Sequence, residues 1–102
     1  MMDVSEVPLG REEATRVIRD IVRYGTIKYS GHCLKDSMPK RGFTFNDVLA
    51  LLLNGEVKKE PEFDEEYHQY KYKVEGTTLD DEEAVAVTVI LDHRSICIVT
   101  VF

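Results

Sequence analysis

His32 stands close in sequence to Lys35, Lys40 and Arg41, a set of residue types suited to metal-independent cleavage of RNA. That reaction needs a base for the ribose 2′-OH, an acid for the leaving oxygen and cations against the charged phosphorane. His32 is the candidate base or acid, with Arg41 and Lys71 as the candidate phosphate-facing cations. Ser30, Lys35, Lys73, Arg94 and Thr100 add binding contacts if the fold brings them near. Tyr70 and Tyr72 are able to stack on bases, although aromatic alternation along a strand also serves cross-strand packing. A structural role for His32 is equally open, since an imidazole at a helix start can bond a backbone group and fix a loop.

Other chemistries find less support. His32, Cys33, His68, His93 and Cys97 include no pair with the spacing of a zinc finger, ribbon or helical His-x₃-His face. Both cysteines sit in apolar company, where a thiol is normally an inert core side chain. The six glycines are scattered and form no phosphate-cradling loop. The acidic runs Glu62–Glu66 and Asp80–Glu83 lack the ligand spacing and turn glycine of a calcium loop. No metal or cofactor is expected.

These side chains need a scaffold. With 102 residues, 43% of them hydrophobic, the chain fits one domain with its own core. Residues 1–9 read as a loose lead-in and 10–102 as the domain. From Arg11 to Tyr24 the apolar Ala14, Val17, Ile18, Ile21 and Val22 share one helical face, with Arg16, Arg19 and Arg23 on another side and Gly25 as the stop. Ser30 is placed to cap a short helix running through Met38, which Pro39 closes or turns. Thr44 and Asp47 have capping-box spacing ahead of a helix over Phe45–Leu53 that ends in Asn54-Gly55. This helix is apolar around most of its circumference, which predicts that it is clamped between a sheet and other helices.

The period then changes. Glu56–Glu60 opens a strand, Pro61–Glu66 is an acidic loop or edge, and Tyr67–Glu75 alternates, with Gln69, Lys71 and Lys73 on the wetter face. Ala84–Leu91 is β-branched on both faces, as a central strand should be, and Ile96–Phe102 supplies the last strand. Helices followed by consecutive strands predict an α+β domain with an antiparallel meander.

Thirteen basic residues against nineteen acidic ones give a formal charge of −6, which disfavours a broad nucleic-acid footprint. The excess is uneven: residues 1–55 carry +1 and residues 56–102 carry −7. No apolar run reaches the roughly 20 residues of a membrane-spanning helix, and the acidic N-terminal stretch is unlike a secretory signal. A cytoplasmic location without membrane contact is the expectation.

Tyr29-Ser30-Gly31-His32, Met38 through Arg41-Gly42-Phe43, Asp47-Val48 and Asn54-Gly55 form an ordered series. It resembles the bacterial domain-of-unknown-function family 4258. The likeness continues through Pro61–Asp64, Tyr70–Gly76 and Ile98–Phe102, covering about residues 27–102. That family is similar to the RelE/ParE-type toxins, which implies helices packed on one face of a curved, mainly antiparallel sheet of three to four strands. It also implies RNA as a target and a small antitoxin-like protein as a partner. Ser30, His32, Arg41, Gly42 and Thr100 match the family's recurring pattern. Two functions follow: a toxin-like, RNA-directed domain with weak or lost nuclease activity, or a non-catalytic module that binds a protein through a sheet edge or the acidic loops.

Overall fold

The computed structural model describes residues Pro8–Phe102. The lead-in expected over residues 1–9 lies, for residues 1–7, outside the described residues. Leu9 is already tied to the domain, its N–H donating to the Tyr72 hydroxyl at 2.9 Å.

Helix α1, Arg11–Tyr24, forms where the apolar period places it and buries Ala14, Ile18 and Ile21. Gly25 ends it in extended backbone. A side chain is excluded there by proximity, since a Cβ on Gly25 would stand 2.2 Å from the Arg94 carbonyl oxygen. Strand β1, Thr26–Tyr29, follows at once.

The next helical stretch differs from expectation, because it runs through Pro39 to Arg41. It begins with a π-helical segment, Cys33–Ser37, in which the Met38 N–H reaches back to the Cys33 carbonyl, and continues as α2, Met38–Arg41. In a regular α-helix the Pro39 ring would press on the carbonyl four residues earlier. The wider π turn displaces that carbonyl and lets the helix pass the proline. Gly42, at φ 68°, closes it in the left-handed conformation that suits glycine.

Helix α3, Phe45–Asn54, carries the expected capping box, with Asp47 N–H donating to Thr44 Oγ1 at 3.1 Å and Thr44 N–H donating to Asp47 Oδ2 at 2.9 Å. Its far end is fixed by Asn54, whose amide donates to the Thr77 carbonyl at 2.8 Å and accepts from the Thr77 N–H at 2.9 Å.

The strands β2 (Glu56–Val57), β3 (Glu62–Asp64), β4 (Gln69–Thr77), β5 (Glu83–Asp92) and β6 (Ser95–Val101) complete one six-stranded sheet. Its order is β1-β6-β5-β4-β2, with β3 also paired to β4. The β1–β6 pair is parallel and the others are antiparallel, so the sheet is mixed. The strand count exceeds the expected three to four because the short β1 and β3 also pair into the sheet; the strand expected to open at Glu56 is present and ends at Val57.

Helices α1 and α3 pack on one sheet face, over Tyr72, Val74, Ala86, Ile90, Ile96 and Ile98. The clamp expected around α3 is only partial: Val48, Leu51 and Leu52 are buried, whereas Phe45 and Leu53 are 54% and 39% exposed. The sheet and α1 cover two sides of α3, and no third layer meets its outer side among the described residues. On the opposite sheet face Val87 and Val89 are buried beside Lys73 and Lys71, which sit in register with them on β4. No helix of the described residues is long and apolar enough to cross a membrane.

Candidate functional site

Strand β6 is longer than its neighbour β1, and this mismatch builds the site. The parallel pairing ends at Tyr29 and Ile98. Beyond it, the π segment and α2 lie where a longer β1 would have run, and two serines replace the missing strand's hydrogen bonds. Ser30 Oγ donates to the Val99 carbonyl at 2.6 Å and accepts the Cys33 N–H at 3.0 Å, so it caps the helix and binds it to the sheet. Ser37 Oγ accepts the Val101 N–H at 3.2 Å. A buried sheet edge requires such partners, because unpaired backbone groups there are costly.

Between this helix and the end of β6 lies a cleft of about 320 Å³ lined by His32, Asp36, Ser37, Lys40, Arg41 and Thr100–Phe102. His32, Asp36 and Lys40 line it because they recur every fourth residue. Asp36 Oδ2 stands 3.3 Å from His32 Nδ1, both side chains being exposed, so Nε2 is the ring nitrogen that this carboxylate leaves to a ligand. Lys40 makes no ion pair among the described residues. Arg41 is braced: its guanidinium lies 4.7 Å from the Phe43 ring centroid, donates to the Glu83 carbonyl at 3.3 Å and approaches Glu82 at 3.6 Å. Phe102 is half exposed, yet its backbone is held by a reciprocal hydrogen-bonded pair with Val85 at 2.8 and 3.0 Å.

The sequence candidates thus divide. His32, Arg41 and Thr100 share the cleft. Ser30 is beside it in a structural role, and Lys35 is exposed on the same helix but does not line it. Lys71 and Lys73 lie on β4, on the sheet face away from α1 and α3, where Lys71 meets Asp64 at 3.1 Å and Lys73 meets Glu62 at 3.2 Å. The Lys71 ammonium holds the Asp64 carboxyl below its ordinary value. Arg94 lines a different cavity, with Val17, Tyr24 and His93 at the opposite end of β6. Asp36 and Phe102 were missed as site residues. The four-residue spacing from His32 through Asp36 to Lys40 was the available signal, hidden by the expectation that Pro39 breaks the helix.

Burial raises both Cys33 and Cys97 above the ordinary thiol value, which disfavours the thiolate a nucleophile needs. Among the described residues, no three His, Cys, Asp or Glu side chains are grouped to hold a metal ion.

A family model described as a domain of unknown function (DUF4258) matches residues 29–102. The chain belongs to that family. The match begins at Tyr29, at the end of β1, and spans the capped helix, the cleft and all of β2–β6, while α1 lies outside it. No curated protein matches the chain, and no solved structure does. The family motifs acquire physical reasons in this DUF4258 domain. The serine of Ser30-Gly31-His32 joins helix to sheet, Arg41-Gly42 ends the helix beside the cleft, and Asn54-Gly55 locks α3 onto β4.

Proposed function

We propose that this DUF4258 domain, residues 10–102, is a cytoplasmic RelE/ParE-like, toxin-type domain that engages single-stranded RNA at the His32–Arg41–Thr100 cleft, with weak or lost nuclease activity. The observation that carries the reading is the gathering of an imidazole, two cations and a hydroxyl in one cleft. Efficient cleavage needs a second proton-transfer group and strong stabilisation of the phosphorane. Lys71 is held elsewhere by Asp64, and Glu82 offsets part of the Arg41 charge, so binding outlasts turnover.

The test is incubation of the purified protein with single-stranded RNA, alone and with translating ribosomes. RNA binding that weakens in Lys40→Ala, with any cleavage abolished in His32→Ala, is the expected result. Cleavage that persists unchanged in His32→Ala removes His32 from the chemistry, and RNA binding indifferent to Lys40 and Arg41 removes the cleft.

One observation favours the interaction-module reading. The outer side of α3 presents Phe45 and Leu53, and the acidic loop after β4 adds Leu79 at 63% exposure. An apolar strip beside acids suits an antitoxin-like partner with basic and apolar residues. Phe45→Ser and Leu53→Ser would release such a partner without changing RNA binding.

A further inference from the structure

Four cavities among the described residues compete for a ligand, one of which, about 370 Å³, shares Arg41 and Phe102 with the cleft beside β6 but is lined by Glu75 and Glu83 and by no hydroxyl. The largest, about 740 Å³, opens at the start of α1 and is lined by Glu12, Glu13, Glu56 and Glu60 against Arg11 and Lys58. The cavity at Arg94 is about 390 Å³ and mostly apolar. Among these cavities, only the cleft beside β6 is lined together by two cations, a threonine and a phenylalanine.

The ring is Phe102. An exposed aromatic side chain normally loses freedom when a ligand orders it. The Phe102 backbone is already clamped by its two hydrogen bonds with Val85, so the backbone share of that ordering cost is met by folding. The side chain is 51% exposed and lines the cleft with Lys40, Arg41 and Thr100. An exposed aromatic ring on a clamped backbone can serve as a stacking platform for a planar base, and stacking tolerates any base identity. Lys40 supplies a free ammonium, Arg41 a guanidinium already stacked on Phe43, and Thr100 a hydroxyl: three donors for one phosphate. The volume of about 320 Å³ lies at the lower end for small-molecule sites. It leaves room for a single nucleotide unit and none for a duplex.

We infer that the cleft is a mononucleotide site, taking the phosphate on Lys40, Arg41 and Thr100 and the base on the Phe102 ring. This deepens the RNA reading and rests on it, naming one unpaired nucleotide of a single strand as the recognised unit. It needs neither cleavage nor a contact with Lys71. Recognition is by phosphate and aromatic face, so all four ribonucleotides bind comparably.

The experiment titrates the full chain with AMP, UMP, ribose 5-phosphate and inorganic phosphate, following backbone amide shifts by NMR, alongside a single-stranded oligoribonucleotide. AMP and UMP should move the signals of His32, Lys40, Thr100 and Phe102. AMP should bind at least about fivefold more tightly than ribose 5-phosphate, the fold-change matching the ~1 kcal/mol lower bound for base–aromatic stacking. Phe102→Ala should abolish that preference while leaving ribose 5-phosphate binding in place, and Phe102→Trp should keep it, which separates stacking from a folding defect. Equal binding of AMP and ribose 5-phosphate overturns the inference, as do shifts confined to the Arg94 cavity or the α1 cavity. Oligoribonucleotide binding that depends on Lys40 but not on Phe102 overturns the base platform and leaves the RNA reading standing. Absence of binding by nucleotides and oligoribonucleotide alike removes both.

Discussion

Replacing Ser30 with Ala removes one oxygen and two hydrogen bonds that hold separate elements together. The Cys33 N–H loses its cap at 3.0 Å, and the Val99 carbonyl loses its donor at 2.6 Å. Loss of a serine N-cap costs about 1 kcal/mol. A carbonyl stripped of its partner at a half-buried position costs about another 1 kcal/mol. The two losses act on different elements, so the expected destabilisation is about 2 kcal/mol, or roughly 8–16 °C in Tm for a domain of this size. Equilibrium urea unfolding should show the midpoint falling at constant slope, because the surface exposed on unfolding is unchanged. Ser30→Thr keeps an oxygen able to make both bonds and should recover most of the loss. RNA affinity measured well below the Tm should be unchanged, since Ser30 does not line the cleft. A loss below about 0.5 kcal/mol, within the ordinary range for surface substitutions, would refute the idea that this hydroxyl replaces the missing strand.

The remaining expectations are independent of one another. Hydrogen bonds to the Thr44 and Arg94 backbones lower the Asp47 and Asp92 carboxyls, and Lys71 lowers Asp64; folded values below unfolded ones mean stability present above about pH 4 and lost as pH falls through the folded values. Urea midpoints should therefore be level from about pH 5 to 7 and drop in acid, with a smaller acid drop in Asp47→Asn; a midpoint that rises on acidification contradicts the assignment. Gly25→Ala should destabilise by about 2 kcal/mol because its Cβ meets the Arg94 carbonyl oxygen, whereas Gly31→Ala, helical with open space around it, should stabilise by about 0.5–1 kcal/mol in the same assay. Lys71→Met should leave RNA affinity untouched, and the log–log salt slope of RNA binding should be near −1.4, the value for about two cation–phosphate contacts on a single strand. A slope several times steeper would mean that cations outside the cleft engage the strand.

Helices α1 and α3 were legible because each combines a 3.6-residue apolar period with a local terminator or cap, and those signals are contained within the helix. Strand β4 was legible by its period of two, and β5 by a run of β-branched residues on both faces, with β6 following it after a short turn. Strands β1 and β3 exist through their partners, and the strand expected to open at Glu56 stops at Val57 because only these two residues find partners, Glu75 and Val74, on β4. Pro39 misled because its local effect is real, and a π turn set by the packing of Cys33 and Ser37 against β6 absorbs it. His32 and Arg41 could be grouped from sequence because one helix carries them. Lys71 was grouped with them by residue type, and what separates it is a diagonal ion pair with Asp64 that exists only in the β3–β4 register.

That same register changes the meaning of the net charge. Read as a total, −6 argues against any polyanionic ligand. In the fold, Asp64 and Glu62 face Lys71 and Lys73 across neighbouring strands, and Glu82 reaches Arg41. Two of the carboxylates of the second half thus lie beside its own lysines, and Glu82 beside Arg41, within a few ångströms, where Coulomb attraction is strongest. Lys40 lies on a helix contributed by the nearly neutral first half and, among the described residues, faces no carboxylate within ion-pair distance. At physiological salt, charges farther than about 8 Å are largely screened, so a ligand in the cleft responds to Lys40, Arg41 with its partner Glu82, Asp36 and His32, and only weakly to the distant acids. On the proposed function, the acidic surface then restricts an RNA ligand to a short unpaired stretch and disfavours an extended duplex, the ligand size proposed for the cleft.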